Sequence, residues 1–361
     1  MLSKYSKFSL AFLIGTLFSW FQRKGFKILA KRDIFKDAEV LTETYSASFH
    51  FILISDTYRI KAYNRAIQRI ANGKSVLNIG TGPFGIMTKL AIAANAKKVT
   101  GVEANQETFK AALAKLNPIH STKLTMKNCY STNLNLPEDN TKFDLLIHEI
   151  IGSIGSDEGS LPVIQDARRR LLAENATIIP RSFITHIIPV SQLEKISFFE
   201  SVLSKVFMRK KNIFDTKIKA KGIYDIFNFP FDKCISNPCI FENFDFNTNF
   251  DLIQSNNFIF KVKTNEENKV TLFDGFVLYL ELFVDKDNII NSLVQKTSWN
   301  VVYLKLIEPP LLLREGDEII VNCKIDARTS NTNYLLTATL PDGSVYTYSW
   351  NGSSPKEIGK I

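Results

Sequence analysis

The stretch VLNIGTGPFG, residues 76–85, carries Gly80-x-Gly82-x-x-Gly85 between a short apolar run and a helical pattern. Glycines at that spacing let a chain turn tightly after a strand and bring its backbone against a ligand at a helix N-terminus. Glu103 ends the next strand pattern, VTGVEA, 21 residues after Gly82, where a carboxylate accepts both hydroxyls of a ribose. Around this loop, TYRIKAYNRAIQRIA, IMTKLAIAANA, QETFKAALAKL and LPVIQDARRRLLA space their apolar residues as helices do. SVLNIG, VTGVEA, KLTMKN and KFDLLIHE read as strands between them. This alternation predicts βαβ units and a doubly wound, Rossmann-like parallel sheet over residues 45–180.

After Pro180 the pattern changes. SFITHIIPV, FIFKVKT, VTLFDGFVLYLELFVD, NVVYLKLI, EIIVNCKI, YLLTATL and SVYTYSW are β-rich runs separated by NEEN, REGD and PDG turns. The expected fold is therefore α/β, a Rossmann-like domain followed by an antiparallel β-barrel or sandwich over residues 181–361. Residues 192–250 mix Phe, Lys and Asn without clear periodicity and read as an arm-like insertion.

The 361 residues are 45% hydrophobic and 22% charged, with a net charge of +9, which excludes global disorder. Seven of those nine excess charges lie in the first 32 residues, so no nucleic-acid groove is expected in the body of the chain. Residues 1–44 read as a basic, hydrophobic helical segment. Its uncharged stretch, residues 8–21, would rise roughly 21 Å as a helix, short of the roughly 30 Å of a bilayer core. It is either a peripheral membrane anchor or a helix packed on protein. Four scattered cysteines and four histidines show no metal spacing, so no metal and a reducing cytoplasm are expected.

The glycine motif also serves dinucleotides, but two features favour S-adenosylmethionine. Arg59, in the helix upstream of the loop, is placed to fork onto a ligand carboxylate; the alternative is a surface salt bridge. There is also no second βαβ half for another nucleotide, because the chain turns to β structure.

HEIIGSIGSDEG, residues 148–159, then sets Glu149 at the mouth of the FDLLI strand and Glu158 nine residues on. Two carboxylates in a partly dry crevice repel unless a cation lies between them. A guanidinium is permanently charged, planar and bidentate, so it fits. Paired carboxylates would polarise it, align one nitrogen for methyl transfer and stabilise the cationic product. The alternative is a solvated acidic loop.

These motifs together resemble the protein arginine methyltransferase family across most of residues 45–340. VLNIGTGPFG is similar to its cofactor loop, DTYRIKAY to the helix carrying its carboxylate-gripping arginine, and HEIIGSIGSDEG to its double-glutamate loop. IIPRSF resembles its crossover into the barrel, and Thr297-Ser298-Trp299 its substrate-pocket loop. The resemblance implies catalytic Glu149 and Glu158. It implies cofactor contacts from Arg59, Asn78, Gly80, Gly82, Gly85, Glu103 and Thr132, and substrate contacts from Thr297, Ser298 and Trp299. Trp299 would wall the pocket, the alternative being a barrel-core aromatic. A homodimer built through an arm near 195–235 is implied as well.

The chain departs from the family at Asn78, where aspartate is usual, at Ser298, where histidine is usual, and at Thr132, where an acid is usual. TETYSASFHF, residues 42–51, matches the family's tyrosine-rich lid poorly. The expected substrate is an arginine-containing protein; the alternatives are a small guanidino or amine metabolite, or an inactive cofactor-binding scaffold.

Overall fold

The computed structural model describes residues 29–31, 55–116, 122–137, 140–192, 221–226, 229–264, 267–352 and 354–360, with backbone only for 29–31 and 354–360. Its first element is a short strand, β1 (Leu29–Lys31), within the segment expected to be helical. The rest of residues 1–44, including 8–21, lies outside the described residues, as do 42–51.

Helix α1 (Thr57–Ile70) starts at Asp56, whose carboxylate accepts a 2.9 Å bond from the Arg59 N–H. Such a cap satisfies one of the unpaired donors at a helix start. Ala62, Tyr63, Ala66 and Ile67 form its buried stripe. The strands β2 (Ser75–Ile79), β3 (Lys98–Val102), β4 (Leu124–Lys127), β5 (Phe143–His148) and β6 (Leu172–Ile179) then build a parallel sheet. Its order is β4-β3-β2-β5-β6, with α2 (Ile86–Ala93), α3 (Gln106–Leu116) and α4 (Ser160–Arg170) as crossovers. Successive strands add to opposite sides of β2, so a crevice opens where β2 and β5 end. The glycine loop and the Glu149 loop both leave the sheet there.

The helical pattern LPVIQDARRRLLA stops at Arg170, and its last residues begin β6 instead. Three arginines in the final turn favour the helix C-terminus electrostatically. Arg170 also donates to the carbonyls of Ser131 and Leu134.

The remaining strands are antiparallel. They are β7 (Ser182–Ser191), β8 (Gly222–Ile226), β9 (Cys239–Asp245), β10 (Ile253–Lys261), β11 (Val270–Phe283), β12 (Ile289–Asn291), β13 (Val301–Lys305), β14 (Leu311–Arg314), β15 (Glu318–Asp326), β16 (Asn333–Thr339), β17 (Val345–Asn351) and β18 (Ser354–Lys360). Among the described residues, one sheet runs β1-β8-β13-β11-β7-β9, with β12 and β14 also paired to β11; the other runs β10-β15-β16-β17-β18. Within the 192–250 stretch, β8 and β9 are strands of the first sheet rather than parts of an arm. Residues 193–220 lie outside the described residues.

One apolar core runs through all three sheets, from Ile67 and Leu146 through Ile179 and Phe183 to Phe276 and Trp350, and a smaller cluster around Ile188, Tyr224 and Tyr303 lies beside it. Each fully buried side chain of this size contributes roughly 1.5–3 kcal/mol, so the two halves pack as one body. Arg69 of α1 adds a polar tie to Asp285 and Asp287 in the β11–β12 turn.

Candidate active site

In the glycine loop, Gly80, Gly82 and Gly85 have φ of 75°, 66° and 57°, the left-handed region that side chains disfavour. At Gly85 a Cβ would also lie 2.9 Å from Leu116. The loop is fastened to β3: the N–H groups of Gly80 and Thr81 donate to the Val102 carbonyl at 2.9 and 3.0 Å. The Glu103 carboxylate accepts from the Gly82 N–H and the Asn105 N–H, both at 3.0 Å. Burial raises the Glu103 pKa against the pull of these backbone bonds.

Asn78 is fully buried behind this loop. Its amide nitrogen donates to the Ile147 carbonyl at 3.2 Å, and its oxygen accepts from the Thr88 hydroxyl at 2.9 Å. One end must donate and the other accept, a pair of demands that an amide meets and a carboxylate does not. The structure thus gives Asn78 a packing role between β2, β5 and α2. Thr132 lies exposed on the 3-10 turn Ser131–Asn133, outside the hydrogen-bonded cluster that joins Arg59, Glu149 and Ser298.

That cluster centres on Arg59, which is 3% exposed. Its Nε donates to Glu149 Oε1 at 2.7 Å, Nη2 to the Glu149 carbonyl at 3.4 Å and Nη1 to Ser298 Oγ at 3.3 Å. Its guanidinium carbon stands 4.4 Å from the centre of the Trp299 ring. Burial would lower the Arg59 pKa, but Glu149, with Tyr63 and Asp56, outweighs it and holds the guanidinium charged. An indole face beside a desolvated cation adds roughly 2 kcal/mol. Among the described residues, three of the five N–H groups of this guanidinium are engaged in this way, and two have no partner. The Glu149 side chain keeps 24% of its surface open.

Trp299 is a buried core aromatic whose ring faces the guanidinium of the chain's own Arg59. Its Nε1 donates to the Ile151 carbonyl at 2.7 Å, which ties the pocket loop to the glutamate loop. Thr297 Oγ1 accepts from the Trp299 N–H at 3.2 Å and shapes the turn from within. Ser298 uses its backbone as well as its hydroxyl: its N–H donates to Asp56 Oδ2 at 2.6 Å. Asp56 so caps α1 and anchors the pocket loop at once. Tyr63 donates to the His148 carbonyl at 3.1 Å and steadies the chain just before Glu149. An Asp before a helix is a cap signal in sequence; nothing local marks Asp56 or Tyr63 as a neighbour of residues 148 or 298.

Glu158 stands at the far end of the loop, half-buried, before Gly159 and α4. The loop between the glutamates packs tightly on the barrel: a Cβ at Gly155 would lie 2.2 Å from the Phe183 ring. The Gly155 N–H donates to Thr185 Oγ1 at 3.0 Å, and the Asn300 N–H donates to Ser153 Oγ at 3.1 Å. It is a braced loop rather than a solvated one. Among the described residues no group of acids, histidines and cysteines could hold a metal ion, and none is long and apolar enough as a helix to cross a membrane.

No protein-family model matches the chain. A protein arginine N-methyltransferase 2 from Xenopus tropicalis is 28% identical over 216 residues, 58% of this chain and 49% of the relative. A probable histone-arginine methyltransferase 1.4 from Arabidopsis thaliana is 27% identical over 166 residues, 45% of this chain and 30% of the relative. The chain thus spans half or less of the length of these curated relatives. Among solved structures, a Trypanosoma brucei PRMT1 enzyme–prozyme heterotetrameric complex with AdoHcy is similar with a TM-score of 0.66 and 18% identity, over 86% of this chain and 99% of that one. Arabidopsis thaliana protein arginine methyltransferase 10 gives a TM-score of 0.64 and 20% identity, over 89% and 98%. In sequence the chain is thus similar to protein arginine methyltransferases over about half its length, and its fold, a Rossmann-like parallel sheet followed by antiparallel β-sheets, is similar to that of their solved structures.

Proposed function

We propose that this chain is an S-adenosylmethionine-dependent N-methyltransferase acting on a guanidinium nitrogen, most simply that of arginine in a protein. The observation that carries this is the Arg59–Glu149 pair: a buried cation with two N–H groups left among the described residues, beside a partly open carboxylate. Such a pair suits one ligand with a carboxylate and another with a positive charge. The methionine end of the cofactor brings the first, and the acceptor brings the second.

The residues present fit the cofactor. Arg59 would hold its carboxylate, Glu103 its ribose hydroxyls, and the backbone of Gly80, Gly82 and Gly85 would allow its close approach, with Thr132 on the adenine side. When bound it supplies a sulfonium methyl group as the electrophile. Glu149 and Glu158 would orient the acceptor guanidinium, concentrate its charge on the nitrogens they touch and leave the remaining nitrogen more nucleophilic. Either carboxylate would accept a proton late, once the cationic product has formed. Thr297, Ser298 and Trp299 act through Arg59 and the glutamate loop in this scheme. Dimerisation through the part of the segment near 195–235 that precedes strand β8, and a cytoplasmic setting, belong to the same proposal and rest on family resemblance.

The test is release of S-adenosylhomocysteine by the purified protein with a glycine–arginine-rich peptide, free arginine and simple guanidines as acceptors. Peptide turnover is expected. Glu149→Gln keeps an oxygen for Arg59 but removes the charge, so it should bind cofactor and lose turnover on the order of 100-fold. Near-normal turnover by that variant would overturn the role of Glu149, and turnover on small guanidines alone would make the acceptor a metabolite.

A further inference from the structure

The glutamate loop is held from the barrel side by a carboxylate that belongs to neither glutamate position. Glu242, on β9, is fully buried. Its Oε1 accepts from the Ser156 N–H at 3.1 Å and from Thr185 Oγ1 at 2.7 Å, and its Oε2 meets Ser156 Oγ at 2.5 Å. Ser156 Oγ in turn lies 2.8 Å from the Tyr334 hydroxyl of β16, and the Ser156 carbonyl accepts from Thr332 Oγ1 at 2.6 Å. Ser156 is two residues from Glu158 and is gripped at its N–H, its hydroxyl and its carbonyl. The two antiparallel sheets thereby clamp the loop between them.

We propose that Glu242 is a positioning residue: through Ser156 it fixes the Glu158 end of the loop, so that the barrel sets the spacing of the two glutamates. This rests on the methyltransferase assignment of that loop. The bonding pattern accommodates both protonation states, with the hydroxyl chain reversing direction. Ionised Glu242 takes a proton bond from Ser156 Oγ, which accepts from Tyr334. Neutral Glu242 donates to Ser156 Oγ, which donates to Tyr334. The titratable groups facing it are Asp157 from the loop, Tyr334 from β16 and Cys323 from β15. Burial, reinforced by Asp157 and opposed by the Ser156 and Thr185 bonds, pushes Glu242 up to about 7. The neutral form is thus the working one below neutrality, and glutamine is its close mimic.

Three readouts on the full chain test this. Hydrogen–deuterium exchange over residues 150–159 should quicken on the order of tenfold in Glu242→Ala and stay near wild type in Glu242→Gln. The kcat should fall on the order of 10- to 100-fold in the alanine variant, with the KM for S-adenosylmethionine unchanged, and be restored by glutamine. As pH rises from 4.5 towards 7, the native carboxyl keeps a proton that the unfolded chain releases, so its contribution to stability is lost across that window. The wild-type melting temperature should therefore fall over that window relative to Glu242→Gln. If Glu242→Ala does not fold, Ser156→Ala, which keeps the backbone bond, takes its place. Unchanged exchange and kcat in the alanine variant, or a folded glutamine variant as slow as alanine, would overturn the proposal. If no acceptor is methylated by any form, the methyltransferase assignment fails, while the exchange and melting results still decide whether Glu242 holds the loop.

Discussion

The two walls of the candidate site are built in different ways. The glycine loop is local: it lies within ten consecutive residues, 76–85, and its turn is fastened to the end of the next strand, through Val102 and Glu103. The guanidinium pocket is assembled from a distance. Arg59 bonds Glu149, 90 positions away, and Ser298, 239 positions away, while Ser156 bonds Glu242, 86 positions away. A local wall fails locally when one residue is changed. An assembled wall passes the damage to every element it joins.

Arg59→Ala is therefore the most damaging test. It strips the counter-charge from Glu149 and the cation from Trp299, which costs about 3 kcal/mol, at the low end for a broken buried pair because Glu149 is 24% exposed. Cofactor binding by calorimetry should be lost with it, and thermal melting should show the destabilisation. Gly85→Ala comes next. Its left-handed φ of 57° strains any side chain, by about 1–2 kcal/mol, and Leu116 adds crowding. Here cofactor affinity should drop while exchange over residues 150–159 stays unchanged, which separates the two walls.

Asn78→Asp sharpens the comparison from behind the loop. The substitution restores the residue usual in related cofactor loops, yet it removes the only donor to the Ile147 carbonyl from that side chain. Thermal melting should show a loss of about 1–3 kcal/mol, with no gain in cofactor affinity. A tighter-binding aspartate variant would instead assign this position a contact with the cofactor.

The last effect is read from pH rather than from ligand binding, at His148, where burial lowers the pKa to about 3 and both ring nitrogens lack partners among the described residues. The unfolded chain takes up this proton near 6.5, so stability is full above that value and falls as pH drops towards 3. His148→Phe, against the edge-on Phe246 ring, should flatten that acid limb in melting temperatures taken between pH 7 and 4.

Much of the fold is legible along the chain because long periodic runs carry it. The strand pattern VTLFDGFVLYLELFVD became β11, the spine on which β7, β12, β13 and β14 pair. Strands β8 and β9 were hidden in a stretch without steady alternation, and β12 and β14 are too short to announce themselves. Their conformation comes from the ladder they join. Of the site, the residue types at positions 59, 103, 149, 158 and 299 stood out, but their partners did not. Ser298, met as a missing histidine, turned out to bond Asp56 through its backbone N–H, a contact open to any residue with that N–H.

The chain by itself determined the turns that only glycine enters easily, the alternation of helix and strand up to Pro180, and the charges set at strand ends. Those follow from each residue's own backbone preferences and from periodicity. Only the tertiary structure decided which charges meet. Glu242 shows why: strict alternation beside buried Phe241 would turn it outward, but the register of β9 slips against β7 between Thr185 and His186. That bulge leaves Phe241 and Glu242 both buried, and a carboxylate that sequence assigns to solvent ends up holding the glutamate loop.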